Sequence, residues 1–236
     1  MRPLACGLAA AVLAMPHAAS AADAPAANAF YVTAAGGYSW AQTSKLSSGH
    51  GQGFAFPIDD SDSENHGAWR LGAGWFVLPR VAVELGYADY GKQSLSIVGV
   101  PSPAFPPEVL SESRTSERKV SAATLDMVGH WPLRPRVTLV GRVGAAYGLV
   151  KLSSHVVAPG GFPFGSGPQD VTLDMRERSW AFHVAGGARW MDVFPTWDLE
   201  ASLEYLGPVG TKFGGDLAGT GRSSQTTLWL GVVKRF

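Results

Sequence analysis

The stretch SWAFHVAGGARWMDVFPTWDLEASLEY, Ser179 to Tyr205, separates into two columns. Trp180, Phe182, Val184, Gly186, Ala188 and Trp190 form one phase; Ala181, His183, Ala185, Gly187 and Arg189 form the other. A period of two belongs to a β-strand, whose side chains alternate between faces. A helix would repeat at three and four, and the Gly186–Gly187 pair would weaken it. After a break at Asp192–Thr196 the alternation restarts, with Trp197, Leu199, Ala201, Leu203 and Tyr205 interleaved with Asp198, Glu200, Ser202 and Glu204.

Six further runs have the same form: Phe30 to Trp40, Trp69 to Val77, Val81 to Ala88, Ala123 to Trp131, Val137 to Gly148, and Thr226 to Phe236. With the two above they predict eight strands. The connections alternate in length. Leu78–Arg80, Pro132–Arg136 and Asp192–Thr196 are short and contain proline, as turns do; 41–65, 91–118, 151–176 and 207–222 are long. An even strand number with short turns at one end and long loops at the other is the grammar of a transmembrane β-barrel.

Aromatic placement points the same way. Phe30 and Trp40 lie ten residues apart on one apolar face, as do Trp180 and Trp190. At ~3.3 Å per residue and a tilt of ~40°, that spacing spans roughly 25 Å of membrane thickness, the height between two aromatic girdles. Trp131, Trp197 and Phe236 fall beside the short turns, and Trp69, Tyr87, Tyr147 and Tyr205 complete the predicted girdle. The opposite phase is rich in Gly, Ala and single charges, which suits the narrow interior of an eight-stranded barrel. A soluble β-sandwich would also alternate, but it would not place tryptophan at both ends of the apolar phase.

The 236 residues carry 19 Lys+Arg against 19 Asp+Glu, a neutral balance without the basic footprint of a nucleic-acid-binding protein. Residues 1–21, MRPLACGLAAAVLAMPHAASA, have the form of a cleaved signal peptide: Arg2, an apolar run from Leu4 to Met15, and the small-residue site Ala19-Ser20-Ala21. The apolar run falls short of the ~20 residues a helical span needs. Cys6, the only cysteine, lies within that segment, so the mature chain at 22–236 is a single barrel domain without a disulfide.

AFYVTAAGGYSW (Ala29 to Trp40), VAVELGYADYG (Val81 to Gly91) and LWLGVVKRF (Leu228 to Phe236) resemble the small outer-membrane β-barrel family of the OmpA membrane domain and the OmpX/Ail-type proteins. The resemblance covers essentially the whole mature chain. It implies an eight-stranded antiparallel up-and-down barrel in the cell outer membrane of a Gram-negative bacterium. Outer-membrane lipid and lipopolysaccharide are the implied surroundings, with Phe236 offered to the barrel-assembly machinery. Lys234 and Trp229 depart from the residues usual in that terminal signal.

Eight charged or titratable residues fall on the predicted interior face: Arg70, Glu84, Asp126, Arg142, His183, Arg189, Glu200 and Glu204. An unpaired charge in a low-dielectric lumen is costly, so these are expected to pair as a polar plug. A narrow gated pore is the alternative use of such a cluster. Some small outer-membrane barrels modify lipid A with a His–Ser pair. His183 is predicted at mid-strand, away from lipid esters, whereas His66 and His155 lie near the outer rim, the latter beside Ser153 and Ser154. The run Asp59 to Glu64 lacks the glycine and glutamate spacing of an EF-hand. The long loops carry phenylalanine beside glycine or proline, at Phe54, Phe56, Phe105, Phe162, Phe164 and Phe213. Such rings either pack against one another where the loops fold over the barrel mouth or, left exposed, form a binding surface. The expectation is a non-enzymatic barrel without cofactor or metal; the family resemblance implies a role in envelope integrity, surface recognition or adhesion through the outer loops, with an extracellular protein as the candidate ligand.

Overall fold

A computed structural model describes residues 29–43, 65–98, 113–158, 169–210 and 223–236. Its strands are β1 (Phe30–Thr43), β2 (Asn65–Leu78), β3 (Val81–Val98), β4 (Ser113–Arg134), β5 (Val137–Ala158), β6 (Gln169–Phe194), β7 (Trp197–Val209) and β8 (Ser223–Arg235). Each pairs antiparallel with its sequence neighbour, and β1 closes on β8 with Gly36 opposite Leu230. Closure leaves no unpaired edge within the apolar layer, the condition lipid imposes on any sheet that crosses it.

Exposure decides which face is which. Trp180, Leu230 and Leu85 are 71%, 67% and 63% exposed, while Arg142, Glu84 and Arg189, on the opposite phase, are each 2% exposed. Apolar side chains outside and charges inside is the inverse of a water-soluble sandwich. Aromatic pairs mark both ends of the apolar belt. Trp69 packs on Tyr87, Tyr147 on Trp180 and Phe182 on Tyr205 toward the outer end; Phe30 stacks on Phe236 beside the turns. Trp131 differs, lying folded over Gly129 and Gly141 rather than standing free.

The three short connections are two-residue turns, Pro79–Arg80, Pro135–Arg136 and Pro195–Thr196. Proline in first place supplies a fixed φ near −65°. The long connections at 91–118 and 151–176 are shorter than the sequence suggested, because β3 runs to Val98, β4 starts at Ser113, β5 runs to Ala158 and β6 starts at Gln169. The same strand-to-strand backbone pairing continues past the aromatic girdle, beyond the apolar belt. β6 has 26 residues and β7 only 13, so β3 to β6 rise as a sheet above a lower wall formed by β7, β8, β1 and β2.

One irregularity governs that sheet. The β3–β4 register shifts between Asp89 and Lys92, at Gly91, whose φ is +85°. This bulge inverts the alternation: Tyr90 points into the barrel and Lys92, two residues on, points out. A Cβ at Gly91 would lie 2.6 Å from Gly67 O and 2.7 Å from His66 Cβ. Gly91→Ala is expected to cost about 1–3 kcal/mol of stability, the usual penalty of a side chain forced into this backbone region. The urea midpoint of the refolded barrel measures it, and an unchanged midpoint would refute the assigned bulge.

Candidate functional site

The barrel narrows its interior by alternating small and large residues, and the space opened by the small ones holds the charges. Gly144 on β5 stands between Asp126 on β4 and His183 on β6, its register partners. Gly72 leaves room for Glu84 in the same way.

All eight sequence-predicted interior residues lie inside, and they join into one network. Arg142 is its centre. Its Nη1 donates to Glu200 Oε1 at 2.6 Å, and its Nε donates to Glu84 Oε1 at 3.1 Å. Arg189 donates to Glu200 Oε2 through Nη2 (2.7 Å) and Nε (3.1 Å). Arg70 reaches Glu204 Oε2 at 3.1 Å and Glu200 Oε1 at 3.5 Å. His183 Nδ1 lies 2.7 Å from Asp126 Oδ1, and its Nε2 lies 3.2 Å from Glu204 Oε2, an ion-pair contact off the hydrogen-bond axis. Three guanidinium groups thus face four carboxylates, with the imidazole lodged between two of the acids. A guanidinium offers five N–H donors in a rigid fork, which is why arginine rather than lysine can serve two carboxylates at once.

Three neutral donors complete the cluster. Tyr31 Oη donates to Glu84 at 2.8 Å, Tyr90 Oη to Glu204 at 2.6 Å, and Trp229 Nε1 to Glu204 at 2.8 Å. The indole of Trp229 also lies beneath Arg70, and the Tyr31 ring beneath Arg189. Trp229 therefore fills the place of a polar residue through its N–H. These three were not among the sequence candidates, although Tyr31 and Trp229 stand in the inward phase. Tyr90 lies two residues beyond Ala88, the predicted end of β3.

Apolar layers lie on both sides of the ions. Toward the turns, Tyr31, Phe76, Val128, Val140 and Val233 pack together; toward the outside, Tyr90, Val120, Val150, Leu206 and Trp229 do so. Among the described residues, these two layers and the ion cluster between them are packed inside the lumen.

At the turn end, Arg235 pairs with Asp192 and, at 3.1 Å, with Asp198. Lys234, on the lipid-facing phase, lays its ammonium over the rings of Trp197 and Phe236 and donates to Thr196. Bending to the membrane surface lets lysine occupy a position otherwise suited to an apolar residue. Near the outer rim, His155 is half exposed, with Nδ1 3.2 Å from Thr172 Oγ1 and 3.5 Å from Asp170 Oδ1. His66 is partly buried below Gly91. Phe54, Phe56, Phe105, Phe162, Phe164, Phe213 and the run Asp59 to Glu64 lie outside the described residues, as does the segment 1–21.

No curated protein matches the chain. Among solved structures, it is similar to Ail, the attachment invasion locus protein of Yersinia pestis, at 16% identity and TM-score 0.45, covering 89% of this chain and 99% of that one. It is similar to Neisserial surface protein A at 15% identity and TM-score 0.47, covering 88% and 97%. For the outer membrane protein OprG of Pseudomonas aeruginosa the values are 12%, 0.46, 89% and 97%. The family match is made by the sequence itself: residues 7–236 fit the outer membrane protein beta-barrel domain, and the chain belongs to that family of outer-membrane β-barrels.

Proposed function

We propose that the protein is a non-enzymatic outer-membrane barrel whose role is structural and surface recognition, in the manner of an adhesin or an OmpX-like protein, carried by its outer end. The observation that supports this reading is the filled lumen. With the Arg142 side chain 0% exposed between two apolar layers, the interior serves as a rigid plug. Apolar constrictions of this kind exclude water and ions. What varies outside a fixed plug is the surface, and the tall β3–β6 sheet with its connecting segments holds that surface away from the lipid. The phenylalanine-bearing segments 44–64, 99–112, 159–168 and 211–222 would supply the contacts to an extracellular protein. Residues 1–21 are proposed as a cleaved signal peptide that delivers the barrel, 22–236, to the outer membrane.

The test compares intact cells displaying the full protein with cells displaying one whose four connecting segments are replaced by short turns. Matrix proteins, serum proteins and cultured cells form the panel. Recognition through the loops predicts a loss of binding of tenfold or more in the trimmed form, with equal surface amounts of folded barrel. Equal binding by both forms would sink it. A sustained conductance of the pure protein in a planar bilayer would favour the gated pore instead, and an altered lipid A mass in expressing cells would favour an enzyme.

A further inference from the structure

The cluster in the lumen does not balance without a proton. Arg70, Arg142 and Arg189 face the carboxylates of Glu84, Asp126, Glu200 and Glu204, and all seven side chains are buried. Within the cluster, the missing positive charge can come only from His183, which is 2% exposed and lies between two of the acids.

The position of the ring decides its state. Its Nδ1 is 2.7 Å from Asp126 Oδ1 on β4, and its Nε2 is 3.2 Å from Glu204 Oε2 on β7. A neutral imidazole carries one N–H and one lone pair. Either neutral tautomer therefore sets a lone pair against a carboxylate. Only the ring with both nitrogens protonated turns a hydrogen toward each acid.

The neighbours sharpen the demand. Among the described residues, His183 is the one ion-pair partner of Asp126. Across β3 Asp126 stands opposite Glu84, and like charges directly opposite each other in a sheet repel. The arginines are engaged elsewhere: Arg142 holds Glu84 and Glu200, Arg189 holds Glu200, and Arg70 holds Glu204 and Glu200. Tyr90 and Trp229 also donate to Glu204, and Tyr31 to Glu84. The apolar layers on both sides of the cluster keep water from hydrating Asp126 in the proton's place. His130 provides the contrast. It is also buried, at 5% exposure, but packs on Phe76 and Tyr31 and makes no ion pair among the described residues.

We propose that His183, between Asp126 and Glu204, is a proton-binding site, and that closing the barrel takes up one proton from the medium. A histidine in water releases its proton near pH ~6.5. Below that pH the unfolded chain already carries the proton, and the contribution of the site to stability is complete. Above it, folding must bind the proton, so the folding equilibrium falls by about tenfold per pH unit until the site itself releases it. The barrel thus closes more readily in mildly acidic than in alkaline surroundings. This property belongs to the lumen and stands independently of what the outer loops recognise.

The test uses the full barrel, unfolded by urea in lipid vesicles at a series of values from about pH 6 to about pH 9. The wild type is expected to lose about tenfold in its folding equilibrium per pH unit over most of that range. His183→Gln and Asp126→Asn are each expected to lose most of this slope. The first has no ring to protonate; the second lets a neutral ring accept from the amide while donating to Glu204. The double variant is expected to be more stable than His183→Gln, because the acid left without a counter-ion is gone. His130→Gln is expected to keep the wild-type slope. One slope shared by the wild type, His183→Gln and Asp126→Asn would overturn the proposal, as would a slope lost in His130→Gln alone. Should His183→Gln fail to refold, Asp126→Asn is read together with nitrogen-15 spectra of the histidine-labelled wild type at about pH 8. One imidazole with both nitrogens protonated is expected there, and a spectrum of neutral rings alone would overturn the assignment.

Discussion

Arg142→Ala is expected to lower the stability of the closed barrel by about 3–5 kcal/mol, the usual cost of removing one partner from a buried ion pair. The reason lies in the acids it leaves. Among the described residues, Glu84 keeps the Tyr31 hydroxyl as its hydrogen-bond donor, and Glu200 keeps Arg189 and the longer contact to Arg70. Both carboxylates remain buried, at 2% and 3% exposure, so neither can recover its hydration. Arg142→Lys retains the charge but not the fork that serves two acids, and should fall between the two. Urea unfolding of the barrel in lipid vesicles, followed by heat-modifiable gel migration, measures the difference. A midpoint within error of the wild type would mean that the cluster contributes nothing to closure.

Gly144→Val is the second large effect, expected at about 3 kcal/mol or more, the upper range for overpacking a filled core. An added Cβ there would collide with the carbonyl oxygen of Leu125 and the carboxylate of Asp126, and would lie 2.7 Å from Asp126 Cα. Backbone bears most of that contact, and a paired strand cannot step aside. The side chain would also part Asp126 from His183, leaving both buried without their ion pair. Gly36→Val and Gly186→Val are the controls, since a Cβ at either meets nothing within 4 Å on the lipid-facing side. These two should assemble as the wild type does. Equal behaviour of all three variants would show that the lumen tolerates volume and is not packed as described.

How far the sequence could be read depended on how far its alternation stayed regular. Ser179 to Tyr205 carries two strands and a turn, and the structure places Trp180, His183, Arg189, Glu200 and Glu204 on the faces their spacing assigns. The interior residues were legible because charge on the small-residue phase has only one place to go. Their pairing was not. Arg70 meets Glu200 and Glu204 across 130 and 134 positions, and no local pattern encodes that distance. The outer ends of β3 to β6 are hard to read because lipid no longer selects an apolar outer face there. VKLSSHVVA alternates weakly, and in QDVTLDMRER the apolar Val171, Leu173 and Met175 fall on the phase that holds His183 and Arg189 lower in the strand, the reverse of the pattern in the belt. Gly91 hid the continuation of β3 by inverting the phase at the point where the pattern would have been followed.

The way the lumen charges are shared among hairpins bears on assembly. With His183 counted as a cation, β2–β3 brings Arg70 with Glu84, β4–β5 brings Asp126 with Arg142, and β6–β7 brings His183 and Arg189 with Glu200 and Glu204. Each hairpin therefore enters the apolar layer electrically balanced. Yet only Arg189–Glu200 and the His183–Glu204 contact form within one hairpin, β6–β7; the other ion pairs of the cluster join different hairpins. The terminal strands β1 and β8, which must meet last to close the ring, bring no charge to the cluster, only the Tyr31 hydroxyl and the Trp229 indole. Partial assemblies are neutral enough to insert, but Glu84, Asp126 and Arg142 gain their ion-pair partners only as further hairpins join, and Arg70 reaches Glu200 and Glu204 only when β2 faces β7 across the lumen. Closure is thereby made cooperative, with an open ring held at higher energy than either the hairpins in transit or the finished barrel.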